Sequence, residues 1–202
     1  VFGTFVLILL GDGVVANVGL APRLAAGGYN WNTIVVGWCF AVILSGLISG
    51  AHNNLAVTVA LAIKGDFPWS KVLPYVLAET LGAFLGAAAV FLVYRDGLVA
   101  AGMPNIWSTG PGSTFGQAFW GGSGGAPSGV YSLGTACVAE FVGTIVLMWG
   151  ILAMGDRRNA ALANLAPLII GGVVLAVGLS LGGPSGYSIN PARDLGPRIF
   201  GL

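Results

Sequence analysis

Ser49-Gly50-Ala51-His52-Asn53-Asn54-Leu55-Ala56 recurs, degraded, as Ser185-Gly186-Tyr187-Ser188-Ile189-Asn190-Pro191-Ala192. Ser, Gly, Asn and Ala stay in register, and each copy runs into a short, mostly apolar stretch. Asparagine is a favoured helix N-cap because its side-chain oxygen accepts from the first free amides. Proline suits the first helical position because the N–H it lacks was unpaired anyway. Each copy therefore reads as a loop that enters a short helix at its asparagine. Each helix has room for about ten residues, or about 15 Å, half of a hydrocarbon core about 30 Å thick. Two half-helices in an apolar chain are the sequence sign of a membrane pore built from an inverted repeat.

The surrounding composition agrees. Of 202 residues, 56% are hydrophobic and 7% charged, with a mean hydropathy of +0.89. Soluble domains carry about a quarter charged residues, so this chain belongs in lipid. A net charge of +1 offers no basic surface for nucleic acid. Cys39 and Cys137 lie in or beside apolar segments and read as small buried hydrophobes, not as a disulfide. No nucleophile–base pair or metal-ligand cluster stands out, so an enzyme is the weakest reading, and neither metal nor cofactor is expected.

Five stretches are long and apolar enough, or nearly so, to span a bilayer: 1–20, 31–48, 72–94, 133–154 and 165–181. The half-helices beginning at Asn54 and Asn190 follow the second and fifth of these. Entering from opposite faces, they compose one further span. Non-helical backbone at that depth survives only where protein or a water-filled cavity surrounds it, which a pore provides. Gly3-Thr4-Phe5-Val6-Leu7 matches Gly143-Thr144-Ile145-Val146-Leu147, so the repeat extends upstream. The expected fold is all-α: a single channel domain over 1–202, with one repeat at about 1–94, a loop at 95–130 and a second repeat at about 131–202. Three full spans separate the two starts, which inverts one repeat relative to the other. Symmetry predicts a sixth span after Leu202 that is missing from this chain. Lys64, Lys71, Arg157 and Arg158 mark two cytoplasmic turns by the positive-inside rule. The loop carrying Trp107 and Trp120 then faces outward, as a flexible linker or as the wall of a vestibule.

At this point the chain resembles the major intrinsic protein family, the aquaporins and glycerol facilitators. Gly186-Tyr187-Ser188-Ile189-Asn190-Pro191-Ala192-Arg193-Asp194-Leu195-Gly196-Pro197 resembles the family's second Asn-Pro-Ala box. Ser49-Gly50-Ala51-His52 with Asn54-Leu55-Ala56-Val57-Thr58 resembles the first. Ala139-Glu140-Phe141-Val142-Gly143-Thr144 and Leu165-Ala166-Pro167-Leu168 are also family-like, so the similarity covers nearly the whole chain.

The resemblance implies a pore in which Asn54 and Asn190 cap half-helices whose positive ends meet near the midplane. Their amides would donate to a passing oxygen. Gly50, Ala51, His52 and Asn53, with Gly186, Tyr187, Ser188 and Ile189, would supply a ladder of acceptor carbonyls. Arg193 takes the place of the selectivity arginine; as alternatives it snorkels at a helix end or pairs with Asp194. Gly178 and Tyr187 fill two further constriction positions. For the last, gapless counting back from His52 reaches Ile34, whereas Gly37-Trp38-Cys39-Phe40-Ala41-Val42 resembles the facilitators' motif and favours Trp38. A Trp and a Tyr at right angles beside a glycine, opposite an arginine, would make an amphipathic slot suited to glycerol. Asp194 is typical of the facilitator subgroup and is expected to accept from nearby loop backbone. Leu55 stands where the first box usually has proline, so stacking against Pro191 is weakened. Glu140 matches a buried carboxylate that supports the reentrant loop. Glu79 stands where the family usually has glutamine, and Asp12 has no family role.

The expected function is passive passage of glycerol and related small neutral solutes, with water, through a homotetramer in the lipid bilayer of the cell membrane. Alternatives are a water-selective or small organic acid pore, a proton-coupled carrier using Asp12, Glu79 or Glu140, and an adhesive scaffold.

Overall fold

The computed structural model describes residues 1–21, 30–50, 52–111 and 131–201. Ala51 and Trp120, both singled out in the sequence, lie outside the described residues. Seven α-helices and two 3-10 segments make up the described regular structure. Among the described residues, five helical stretches are long and apolar enough to cross a membrane, two of them together with a leading 3-10 segment. Their α-helices are α1 (Phe2–Leu20), α2 (Trp31–Ser49), α4 (Val72–Ala100), α5 (Leu133–Met154) and α6 (Ala166–Leu181). The two short helices, α3 (Leu55–Lys64) and α7 (Pro191–Phe200), begin directly after Asn54 and Asn190. The 3-10 segments Trp69–Lys71 and Arg157–Leu165 lead into α4 and α6.

Local chemistry sets the ends of these helices. Asn30 and Thr33 form a reciprocal capping box that starts α2 at Trp31. The Ser132 hydroxyl accepts from Thr135 N at 3.1 Å and starts α5. Gly50 at φ 57° and Gly65 at φ 90° close α2 and α3 in the left-handed region that glycine enters without strain. One boundary differs from expectation: α4 continues through Arg95-Asp96 to Ala100, where the sequence suggested an end at Tyr94. The two charged side chains point outward while Leu98 is fully buried, so the helix face holds across the polar pair.

α1 packs against α2 and α4, α2 against α6, α4 against α7, and α5 against α6. Lipid tails are as apolar as leucine, so association in a bilayer relies on close contact at small residues. At Gly86 on α4, a β-carbon would lie 2.7 Å from Ile8 Cβ and 2.8 Å from Phe5 O on α1. At Gly196 on α7 it would lie 2.7 Å from Thr80 O on α4. The first glycine seats the central helix, and the second docks a half-helix into the bundle.

The turn before α4 and the turn between α5 and α6 carry the basic residues outside the spans that the sequence singled out. They hold Lys64, Lys71, Arg157 and Arg158, the residues from which the positive-inside rule takes the expected cytoplasmic orientation. In the second turn, hydrogen bonds from Arg158 hold the Asp156 carboxyl below its ordinary pKa range.

Candidate functional site

The two half-helices meet at their N-termini, and the asparagines do two jobs at once. Asn54 Oδ1 caps α3 by accepting from Ala56 N (2.9 Å) and Val57 N (3.5 Å). Asn190 Oδ1 caps α7 by accepting from Ala192 N (3.1 Å) and Arg193 N (3.4 Å). Each amide nitrogen then reaches across the junction. Asn54 Nδ2 donates to Ile189 O, and Asn190 Nδ2 donates to Asn53 O, both at 2.8 Å. An amide has two hydrogens, so one on each asparagine remains for a solute. The non-proline box adds a bond of its own: Leu55 N donates to Asn190 Oδ1 at 3.4 Å. Pro191 has no N–H to return it, so the junction is asymmetric.

The segments before the asparagines are strained. Asn53, Tyr187 and Ile189 have φ of 53°, 45° and 42°, a region that side-chain-bearing residues rarely enter. The second segment is held by Glu140 on α5, whose two carboxylate oxygens accept from Ser188 N (2.8 Å) and Ile189 N (2.6 Å). The first is tied to α2 by Asn53 Nδ2, which donates to Ser49 Oγ at 3.1 Å. The His52 ring clusters with Phe67 and Tyr75, 4.8 and 5.3 Å away, and those two rings also touch each other at 4.8 Å. Its Nδ1 is 3.0 Å from the Thr58 hydroxyl. That hydroxyl also lies 3.1 Å from Glu79 Oε1 and 3.2 Å from Asn54 O, and its single hydrogen serves one acceptor at a time. Glu79 thus braces the half-helix from α4.

Two cavities flank the junction. The inner one, about 240 Å³, is bordered by Gly50, His52, Asn53, Asn54 and Asn190 together with apolar side chains such as Val174. The outer one is a slot of about 30 Å³ bordered by Trp31, Ile34, Trp38, Gly186, Tyr187 and Arg193. That is room for about two waters, so anything passing goes in single file.

Arg193 is buried at the slot. Nη1 donates to Trp107 O at 2.8 Å, and the guanidinium carbon lies 4.5 Å from the centre of the Trp38 ring. Asp194 pairs elsewhere. Its Oδ1 accepts from Thr109 N (2.7 Å) and Thr109 Oγ1 (2.9 Å). Its Oδ2 accepts from Arg198 Nη2 at 2.8 Å. Arg198 also donates to Thr109 O, and Gly110 N donates to Ser185 O. The strap 105–110 is thereby pinned over the slot by α7 and the loop that precedes it.

The sequence placed two constriction residues, Trp38 and Gly178, differently. Trp38 borders the slot but lies against Arg193. The right-angle partner of Tyr187 is Trp31, at 5.6 Å and 76°. Trp31 went unnoticed because it opens its helix seven residues before Trp38, outside the family-like motif. Gly178 does not border the outer cavity. It lies behind Tyr187 and Trp31, accepts from Trp31 Nε1 at 3.1 Å, and leaves room that the Tyr187 ring already fills. Ser188 and Ile189, expected to offer acceptor carbonyls, border neither described cavity: the Ile189 carbonyl accepts from Asn54 Nδ2, Ser188 Oγ donates to Asn190 O, and the Ile189 side chain packs toward Gly143.

Known proteins share this architecture. Residues 1–202 match the family model described as Major intrinsic protein. A probable glycerol uptake facilitator of Thermotoga maritima is 44% identical over 98% of this chain and 79% of its own length. A glycerol uptake facilitator of Bacillus subtilis is 41% identical over 98% of this chain and 68% of its own length. The X-ray structure of the aquaglyceroporin from Plasmodium falciparum superposes with a TM-score of 0.79 at 30% identity, covering all of this chain and 78% of that one. The chain belongs to the major intrinsic protein family.

Proposed function

We propose that this chain forms a passive transmembrane channel for glycerol and related small neutral solutes, with water passing as well. The observation that carries the reading is the outer slot, where the Arg193 guanidinium and the crossed Trp31 and Tyr187 rings border one narrow cavity. A polyol has a hydrocarbon edge and a hydroxyl edge. The rings accept the first by apolar contact, and the guanidinium donates to the second. Beyond the slot, the free amide hydrogens of Asn54 and Asn190 offer the next donors, and the inner cavity is largely apolar. The names of the relatives point the same way. Nothing in this path requires a bond to be made or broken, so the reading contains no enzymatic step. Assembly as a homotetramer in the cell membrane, with one pore per subunit, belongs to the same proposal.

Stopped-flow light scattering on proteoliposomes tests it. Glycerol-driven reswelling should run well above protein-free vesicles, rise linearly with the gradient and ignore an imposed proton gradient. Flux that saturates and follows the proton gradient would instead identify a carrier. Flux equal to empty vesicles would end the channel reading.

A further inference from the structure

Asp12 sits on α1 inside the bundle with no exposure to solvent. Neither of its carboxylate oxygens has a hydrogen-bond partner among the described residues. Its ionic contact is Arg193, whose Nη2 lies 3.3 Å from Asp12 Oδ1. A buried carboxylate without hydrogen bonds is costly unless a cation compensates it, and inside a membrane such groups are rare. We propose that Asp12 is the counter-ion of the slot arginine: it positions Arg193 and cancels its charge, so the constriction is an ion pair and not a bare cation. This rests on the channel reading of the outer cavity and deepens it.

The arrangement around the guanidinium supports the assignment. One face is covered by Trp38, one edge donates to Trp107 O, and another faces Asp12. A guanidinium has five donor hydrogens, so those left over are available to a solute. The neighbouring acid, Asp194, is already engaged by Thr109 and Arg198. The same turn of α1 also seats the tryptophan, because a β-carbon at Gly11 would overlap the Trp38 ring. Adjacent residues Gly11 and Asp12 therefore hold the aromatic face and the ionic edge of Arg193 from one helix.

The consequence concerns selectivity. In a low-dielectric slot, a bare guanidinium would favour small anions and repel cations. Paired with Asp12 it does neither strongly, and neutral hydroxyl compounds compete by hydrogen bonding alone. Removing one member of the pair should expose the charge of the other.

The test is a double-mutant cycle in proteoliposomes of the full chain, using Asp12→Asn, Arg193→Val and the double variant. Proton leak is read with an internal pH dye, nitrate leak by anion-driven swelling, and glycerol flux by light scattering. Arg193→Val should raise proton leak about tenfold, because the carboxylate loses its cation. The double variant should return that leak to within about twofold of wild type. Asp12→Asn alone should raise nitrate leak and lower glycerol flux, since the guanidinium loses its anchor. A double variant as leaky as Arg193→Val, or an Asp12→Asn protein with wild-type nitrate and glycerol fluxes, overturns the proposal. Should single variants fold poorly, the cycle is read in monodisperse yield: pairing predicts that the second change restores it, and independent losses refute pairing. Wild-type protein without glycerol flux would sink the channel reading alone, because the coupling in leak and yield is measured separately.

Discussion

Ile189 is β-branched and sits at φ 42°, a conformation that costs about 1–3 kcal/mol and persists only when its surroundings impose it. Glu140 imposes it by accepting from two consecutive amides. Glu140→Ala should therefore destabilise the protein by about 2–4 kcal/mol, since two partly buried amides lose their acceptor. The thermal midpoint of detergent-solubilised protein should fall, and glycerol flux with it. Glu140→Gln retains one acceptor and should lie between. Glu140 was legible in the sequence because it lies in a contiguous family-like stretch. The aromatic corner was not. A tryptophan at a helix start looks like an interfacial anchor, and its pairing with Tyr187 spans more than 150 positions. The corner makes its own prediction: at Gly178 a β-carbon already comes within 2.7 Å of Tyr187 Cζ and 2.8 Å of Val35 Cγ1. Gly178→His should push the Tyr187 ring into the slot and lower glycerol flux about tenfold, with water flux reduced less. Unchanged glycerol entry through a folded Gly178→His protein would refute this account of the constriction.

Among the helices, α3 and α7 carry the strongest local signal, which is why a degraded octapeptide repeat was enough to find them. Cap, first turn and termination lie within about a dozen residues, so no distant partner is needed to read them. What the repeat could not reveal is how far the departure at Leu55 is compensated. Leu55 supplies an N–H that bonds Asn190 Oδ1 across the junction, where a proline could not. Leu55→Pro should gain a preorganised first turn and lose that long hydrogen bond, leaving stability within about 1 kcal/mol of wild type. Asn54→Ala should cost more. It removes the α3 cap, worth about 1 kcal/mol, and the amide bond to Ile189 O, worth about another. Thermal scans of the two variants side by side check the order. The end of α4 was misjudged for the converse reason: hydropathy falls at Arg95-Asp96, but backbone hydrogen bonding and the burial of Leu98 continue the helix.

At the scale of the molecule, the five spans are apolar all round, so sequence periodicity could not say which face of each is buried. That information resides in long-range packing, and the contact between Asp12 and Arg193 was illegible for the same reason. The structure sorts the spans clearly: α1 is the most buried of the five and α5 the least. Ile8 on α1 is wholly enclosed, whereas Phe141 on α5 is largely exposed. In water, deleting the exposed ring would relieve an unfavourable surface. Where lipid or detergent covers that face, the ring meets hydrocarbon on either account, and its removal changes little. Ile8 differs because its loss opens a cavity between α1 and α4, beside Gly86, that neither lipid nor protein can refill. Ile8→Ala should therefore cost about 2–4 kcal/mol, while the much larger truncation Phe141→Ala should cost under about 1 kcal/mol. Thermal unfolding in detergent decides the matter. Equal losses for the two would mean that the outer face of α5 is packed against protein, either the sixth span that the repeat predicts or a neighbouring subunit.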